Sequence, residues 1–341
     1  MRAWSSSMDD SLAALVLIII VALGFGFSNG LNDAANAIAT VIGSRVMSPR
    51  SAVIMAAVFN LAGTLSGALL GAAVAKTIGK GIVMPDELGL GTVIAGVAAA
   101  VIWVVGATMR GIPLSVSHSL VAGMLGAGIA AVGTDAIVWG VFSKVLLAVI
   151  FAPLLGLAGG YGIMVAIMWL FRRSPPDRVS NIFSKLQVVA AAFVAYAHGK
   201  NDGQMPIGIM ALGLMIYGGG QTFNIPLWVI LASAASVALG ITLGGWRVIR
   251  TVGTRITTLR PVHGSAAEMS AAAVIEAASN LGIPVSTTQI ISGSVMGVGA
   301  TRRLSAVRWG VARSMVTAWV LTFPICAGLG WVLSKAVGLI G

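Results

Sequence analysis

Gly30-Leu31-Asn32-Asp33 recurs as Gly199-Lys200-Asn201-Asp202 in the second half of the chain. A second motif repeats with almost the same offset, because Gly111-Ile112-Pro113-Leu114-Ser115 recurs as Gly282-Ile283-Pro284-Val285-Ser286. Two independent motifs therefore share a period of about half of the 341-residue chain. A fixed period of this kind is the sequence signature of an internal duplication.

The duplication predicts two homologous halves. We expect an N-terminal repeat over residues 1–172, a cytoplasmic linker over 173–182 and a C-terminal repeat over 183–341. The predicted linker begins with Arg173-Ser174-Pro175-Pro176-Asp177-Arg178, a charged and proline-rich stretch that is typical of a loop.

The composition indicates an all-α polytopic membrane protein. Hydrophobic residues make up 57% of the chain and charged residues 9%, which is too little polar surface for a water-soluble globule. One span takes roughly 20 helical residues, so the apolar stretches predict about ten membrane segments. In the first half these stretches are 12–44, 51–75, 92–109, 112–130 and 145–171, and in the second 183–215, 225–246, 265–281, 284–300 and 314–334. The Asn-Asp motifs interrupt 12–44 and 183–215, so both helices are expected to be broken there.

The positions of the charges predict that the two halves are inverted. Arg45 and Arg50 follow the first broken helix, whereas the equivalent loop 216–224 has no charge. Loop 76–91 carries both signs of charge, including Asp86 and Glu87, while its counterpart 247–260 is purely basic. Cytoplasmic loops of membrane proteins are enriched in Lys and Arg. The pattern therefore predicts inverted repeats in the inner cell membrane with both termini outside, and it attributes the net charge of +11 to topology rather than to nucleic acid.

Two intramembrane carboxylates, Asp33 and Asp202, occupy equivalent positions of the repeats. A charged group inside a membrane is costly and marks a functional site by default. The side chains of Asn32, Asn36 and Asn201 supply oxygen ligands beside them, as a small hard cation requires. The alternative is that these polar residues only join neighbouring helices.

The Gly-Ile-Pro motifs predict an anion site. Proline ends one helix, and the next helix then begins with free backbone N–H groups and hydroxyls. Two such helix N-termini that face each other would bind an anion between them. The hydroxyl residues are Ser115, Ser117, Ser286, Thr287 and Thr288. The alternative is that they cap helices at the membrane surface.

Five further residues are weaker candidates for coupling. Arg110 adjoins the first Gly-Ile-Pro motif and either pairs with an anion or lies at the membrane interface. Glu268 follows Ser265 by three residues, the spacing of a capping box at a surface helix end. Glu276 lies deeper in the same segment, and His118 and His198 adjoin the motifs, where they either move protons or form structural hydrogen bonds.

Three stretches closely resemble the signatures of the PiT inorganic phosphate transporter family: Phe27-Ser28-Asn29-Gly30-Leu31-Asn32-Asp33-Ala34-Ala35-Asn36-Ala37, His198-Gly199-Lys200-Asn201-Asp202-Gly203-Gln204 and Gly282-Ile283-Pro284-Val285-Ser286-Thr287-Thr288. The resemblance covers nearly the whole chain. It implies an inverted-repeat fold in which re-entrant helical hairpins carry the Gly-Ile-Pro motifs. It also implies a homodimer that transports a cation together with phosphate.

The resemblance further implies roles for individual residues. Asp33 and Asp202, with Asn32 and Asn201, match the positions that bind the ion and phosphate, and the five hydroxyl residues of the hairpins match the phosphate-binding positions. Glu268 matches a glutamate that matters in some members. Asn60 stands where many members have a functional glutamate, and Gln289 where the second hairpin often has histidine.

These observations predict a secondary transporter, not an enzyme. It would import inorganic phosphate by symport with Na⁺ or H⁺ through alternating access, without a cofactor and without a metal other than Na⁺. The alternatives are a permease for sulfate or another oxyanion and, from a different class, a passive anion channel.

Overall fold

A computed structural model describes residues 11–81, 88–219 and 222–340. In these ranges the chain forms thirteen α-helices joined by turns and short 3-10 segments. They are α1 (Leu12–Gly43), α2 (Pro49–Leu69), α3 (Ala73–Gly81), α4 (Leu90–Arg110), α5 (Val116–Val132), α6 (Trp139–Leu170), α7 (Pro176–Asp202), α8 (Gln204–Tyr217), α9 (Leu227–Leu243), α10 (Trp246–Arg250), α11 (Pro261–Asn280), α12 (Thr287–Ala300) and α13 (Trp309–Ile340). Asp86 and Glu87, which entered the comparison of loop charges, lie outside the described residues.

Several of these helices suit a membrane. Within the described ranges, six helical segments are long and apolar enough to cross a bilayer, and the bent pair Leu227–Leu243 and Trp246–Arg255 would make seven. The chain is therefore an all-helical, multi-pass membrane protein, as its composition predicted. The total of about ten segments stays a prediction, because the remaining apolar helices are shorter.

The predicted helix break is absent from the first half. Helix α1 runs from Leu12 to Gly43 without interruption, so the break expected at its Asn-Asp motif is wrong. In the second half the interruption is a single residue, because Gly203, which has helical backbone angles, separates α7 from α8 within one helical segment, Pro176–Tyr217. The difference has a local cause: Pro206 has no N–H to donate to the carbonyl of Asp202, whereas the residues that follow Asp33 in α1 include no proline.

Segments that were expected to be loops are partly helical, and one of them is 76–91, where α3 extends to Gly81. Helix α7 already begins at Pro176, so residues 176–182 of the predicted linker belong to it. Proline is favoured at the first position of a helix, where its missing N–H costs nothing. In the basic stretch 247–260, helix α10 is followed by a π-helical turn, Thr251–Arg255.

Helix packing repeats between the two halves of the chain. Helix α1 packs on α9 as α7 packs on α2, and α5 packs on α13 as α12 packs on α6. Under the sequence duplication, the pair α7–α2 is the counterpart of α1–α9, and the pair α12–α6 is the counterpart of α5–α13. The prolines inside α6 and α13, Pro153 and Pro324, are also counterparts under the duplication. This correspondence supports the division into two homologous units.

The glycine of each Asn-Asp motif permits close helix contact. A Cβ atom on Gly30 would lie 2.1 Å from the carbonyl oxygen of Val237 in α9, and one on Gly199 would lie 2.0 Å from that of Asn60 in α2. No side chain fits at these separations, so the motifs require glycine. The close packing of α1 on α9 and of α7 on α2 fixes the carboxylates of Asp33 and Asp202, each three residues after its glycine.

Candidate functional site

The two carboxylates meet the start of α12 inside the protein. We call α4 with α5 the first hairpin and α11 with α12 the second, since each pair packs together across a Gly-Ile-Pro turn. Thr288 Oγ1 donates a hydrogen bond to Asp33 Oδ1 at 2.9 Å, and Thr287 Oγ1 donates to Asp202 Oδ2 at 3.1 Å. Asn36 Nδ2 donates to both threonine hydroxyls at 3.0 Å. All five side chains are buried. Residues from both halves of the chain thus form one polar cluster.

His198 lies between the two carboxylates. Its Nε2 atom is 3.1 Å from Asp202 Oδ2 and 3.5 Å from Asp33 Oδ2. On the other side of the ring, Nδ1 lies 2.6 Å from Asn60 Nδ2. If Asn60 donates to Nδ1, the proton of the neutral imidazole is on Nε2 and faces the carboxylates. The sequence placed His198 beside the motif, but the contact with Asn60 was not predicted.

Asp33, His198 and Asp202 form a group suited to a cation. One ligand atom from each lies within 4.8 Å of the others. Carboxylate oxygens are the preferred ligands of small hard cations, and burial strengthens their attraction for positive charge. The cluster therefore fits a cation, or a proton held by the same groups.

Asn32 and Asn201 make equivalent contacts with α4 and α11, the helices that precede the two Gly-Ile-Pro turns. Asn32 Nδ2 donates to Thr108 Oγ1 in α4 at 2.7 Å, and Asn201 Nδ2 donates to Ser279 Oγ in α11 at 3.0 Å. Asn201 also donates to the carbonyl of Ile283, at 3.1 Å. These amides bind the hairpins. In this arrangement they form no hydrogen bond with the carboxylates of Asp33 and Asp202.

The two Gly-Ile-Pro motifs meet each other. Ser115 and Ser286 cap α5 and α12, each accepting from the backbone N–H three residues on, at 3.1 and 3.3 Å. Both serines are 2% exposed or less, so they cap buried helix ends rather than ends at a membrane surface. Ser117 Oγ donates to the carbonyl of Val285 at 3.0 Å and thereby joins the two hairpins. The structure brings together the helix N-termini that the motifs place in each half.

Each hairpin turn is held by a threonine from the other half. Gly111 and Gly282 have φ values of +71° and +67°, in the left-handed region that favours glycine. Thr251 Oγ1 donates to the carbonyl of Gly111 at 3.0 Å, and Thr77 Oγ1 donates to that of Gly282 at 2.7 Å. Neither threonine lies in a sequence motif, so neither was predicted.

Three weaker candidates contact residues outside the cluster. Arg110 is exposed at the end of α4 and donates to a carbonyl of its own helix at 3.3 Å, so the structure does not bring it to the anion site. Glu276 forms an ion pair with Lys200. His118 is buried against Phe323, with ring centroids 5.2 Å apart, and its ring nitrogens have no hydrogen-bond partner among the described residues.

Glu268 lies inside α11, not at its end. The helix begins at Pro261, so the capping box predicted from Ser265 and Glu268 is wrong. The reason is that the helix extends further toward the N-terminus than the apolar stretch. The Glu268 carboxylate is fully buried and accepts a hydrogen bond from Thr40 of α1.

Comparison with known proteins agrees with this architecture. The profile of the phosphate transporter family matches residues 29–330. A protein of Rhizobium meliloti (strain 1021), named "Probable low-affinity inorganic phosphate transporter", is 43% identical over 94% of this chain and 96% of its own length. A protein of the same name from Bacillus subtilis (strain 168) is 40% identical over 95% of this chain and 97% of its own length.

A solved structure has the same fold. It is named "The sodium-dependent phosphate transporter" and superposes with a TM-score of 0.89 at 28% identity, covering 97% of this chain and 100% of the other. These matches confirm the predicted resemblance and the prediction of a transporter rather than an enzyme. The chain belongs to the phosphate transporter family.

Proposed function

We propose that this protein imports inorganic phosphate across the inner cell membrane by symport with a cation, Na⁺ or H⁺. The observation that carries the proposal is the pair of contacts from Thr288 to Asp33 and from Thr287 to Asp202. They place hydroxyls suited to an oxyanion directly against carboxylates suited to a cation. The names of the relatives, two phosphate transporters and one sodium-dependent phosphate transporter, support the same substrate and coupling.

The electrostatics explain why a cation is needed. Each negative charge that enters a cell against a membrane potential costs about 2.3 kcal/mol per 100 mV. The carboxylates of Asp33 and Asp202 would also repel phosphate from the neighbouring hydroxyls. A cation bound at these carboxylates, or a proton held there, removes the repulsion and reduces the charge that crosses the membrane.

Phosphate binding would then involve the hairpin tips. Hydroxyls and free backbone N–H groups at helix N-termini donate to oxyanions, and the positive end of the helix dipole adds attraction. The groups that would bind are Ser115, Ser117, Ser286, Thr287 and Thr288. When phosphate arrives, the threonine hydroxyls can donate to it while the cation binds the carboxylates that they leave.

A line of polar side chains on α1 supports a cation path toward one end of the helix. Asn36 and Thr40 follow Asp33 at helical spacing and share one side of α1, and Ser44, the residue that caps the end of the helix, continues the same spacing. Thr40 donates to the buried Glu268, and Ser44 Oγ donates to Gln187 Oε1 at 2.8 Å. Glu268 is thus the next carboxylate after Asp33 along this side, which suits a role in coupling.

Alternating access would come from movement of one half against the other. The repeated packing of α5 on α13 and of α12 on α6 gives each hairpin its own supporting helix. Inverted repeats expose a central site to either side by rocking. We also propose that both termini lie outside, from the loop charges, and that the protein is a homodimer, from the family resemblance.

The test is uptake of labelled phosphate into proteoliposomes under an imposed Na⁺ gradient or an imposed proton gradient. Accumulation above equilibrium with one gradient establishes symport and identifies the cation. Flux that only follows the electrochemical gradient, whichever cation is present, would instead establish an anion channel. Accumulation of labelled sulfate but not phosphate would move the substrate to sulfate.

A further inference from the structure

Asn29 of α1 is a buried amide without a hydrogen-bond partner in the part of the chain that the structure describes. It is 0% exposed, and neither Nδ2 nor Oδ1 has a hydrogen-bond partner among the described residues. Buried polar side chains in native proteins are almost always hydrogen-bonded, so each exception needs an explanation. A residue with an apolar side chain of the same shape would avoid the cost of burying the amide.

The position of Asn29 points to the transport site. At about 100° per helical residue, the residues Asn29, Asp33, Asn36 and Thr40 lie within an arc of about 60° on α1. Asp33 and Asn36 contact the second hairpin. Asn29 is one turn before Asp33 on the same side of the helix, so its amide borders the carboxylate cluster.

The duplication gives independent support. Asn29 and His198 stand at equivalent positions, each four residues before the aspartate of its own repeat. His198 contacts both carboxylates and is braced by Asn60, which also lies opposite Gly199. In the other half the residue opposite Gly30 is Val237, which has no polar side chain to brace Asn29.

We propose that Asn29 is a further binding residue of this site. Its Nδ2–H group donates a hydrogen bond to the transported oxyanion, and its Oδ1 atom binds the coupling cation. A carboxamide can do both, because it carries two donors and one acceptor. This inference rests on the proposed function for the identity of the ions. The burial and the missing partner of Asn29 do not depend on that identity.

The substitution Asn29→Leu separates binding from a structural role. Leucine has a similar branched shape and removes both polar atoms. If the amide served only the fold, the variant would lose stability without ligand and keep its affinity. If Asn29 binds the ions, the unliganded variant is as stable as the wild type or more stable, while the affinity for phosphate falls.

The experiment measures thermal unfolding of the full chain in nanodiscs with and without Na⁺ and phosphate, together with the KM for phosphate uptake. We expect Asn29→Leu to lose most of the phosphate-dependent shift and to raise KM by about tenfold, equivalent to about 1.4 kcal/mol. Ser28→Ala is the matched control, because Ser28 Oγ is buried and donates only within its own helix, to the carbonyl of Phe25 at 2.9 Å. It should keep the shift and the KM.

The outcomes distinguish this inference from the proposed function. A wild-type KM and ligand shift in Asn29→Leu, with phosphate still accumulated, would overturn the role of Asn29 and leave the function intact. If the wild type instead responds to sulfate and the variant loses that response, the substrate is wrong and the role of Asn29 stands.

Discussion

Thr288 Oγ1 donates a hydrogen bond to Asp33 Oδ1 at 2.9 Å, across 255 positions of the chain. The contact joins the second hairpin to the buried carboxylate of the opposite half. Since a buried carboxylate without its partners is costly, this contact and the neighbouring one from Thr287 to Asp202 hold the hairpin against α1 and α7. A cation bound at the carboxylates and an anion bound at the hydroxyls would each replace these same hydrogen bonds.

Removal of the Thr288 hydroxyl should weaken substrate binding. We expect Thr288→Val to raise the KM for phosphate at least about tenfold, because one hydrogen bond to a charged group contributes about 1.5–3 kcal/mol. Thr288→Ser keeps the hydroxyl and is the matched control. Uptake kinetics at equal membrane abundance measure the effect. A Val variant with the KM of the Ser variant would show that the hydroxyl has no part in binding.

Neutralising either carboxylate should abolish concentrative uptake. Asp33→Asn and Asp202→Asn keep the shape of the side chain but remove the negative charge that attracts a cation. Both variants should insert in the membrane normally and fail to accumulate phosphate. Full uptake by both, at wild-type abundance, would refute the assignment of these residues to coupling.

The threonines that hold the hairpin turns should position the binding site. Thr77→Val and Thr251→Val each remove one hydrogen bond to a turn carbonyl, which costs about 0.5–1.5 kcal/mol of stability. We expect a lower uptake rate as well, because the loosened turn no longer fixes the hairpin tip. Thr77→Ser and Thr251→Ser retain the donor and serve as controls. Equal rates in the Val and Ser variants would argue against this role.

The glycines of the turns should tolerate no side chain. Gly111 has a positive φ of +71°, and a Cβ atom added there would lie 2.9 Å from Arg247 Cβ. We expect Gly111→Ala to cost more than the about 1–2 kcal/mol of left-handed backbone strain alone. Gly219→Ala is the control for strain, since Gly219 has φ +83° and nothing within 4 Å of the added atom. Thermal unfolding of the two variants measures the difference, and equal losses would contradict the close contact.

The ion pair between Lys200 and Glu276 should couple α7 to α11. The side chains are only 14% and 25% exposed, so a single neutralisation leaves a partly desolvated charge. Lys200→Met and Glu276→Gln should each lower stability by about 1–3 kcal/mol, and the double variant should recover part of the loss. A double-mutant cycle on thermal unfolding tests this. Additive losses would show that the pair contributes nothing.

The hydropathy of the sequence predicted the main helices well. The apolar stretch 12–44 corresponds to α1, Leu12–Gly43, and proline followed by hydroxyl residues marked the start of α12 at Thr287. The duplicated Asn-Asp motif pointed to the two aspartates that the structure brings together. These features depend on local pattern and on repetition, which a single sequence contains.

The features that the sequence did not predict depend on contacts between distant segments. The continuity of α1 through Asp33 is an exception with a local cause, because no proline follows Asp33 in this helix as Pro206 follows Asp202. The burial of Glu268 against Thr40, and the contact of His198 with Asp33, require the two halves to be packed together. The short helix α10 was also not predicted, for a local reason, because Arg247 and Arg250 make its segment resemble a loop.

Equilibrium binding of labelled phosphate to the protein in nanodiscs, as a function of Na⁺ concentration and of pH, tests whether the cation and phosphate bind at one coupled site. Linkage requires that a cation bound at the same site raise the affinity for phosphate, and we predict a gain of at least about fivefold with Na⁺ or with protons. The gain should vanish in Asp33→Asn. Phosphate affinity that is independent of both cations, or a gain that Asp33→Asn retains, would contradict the account.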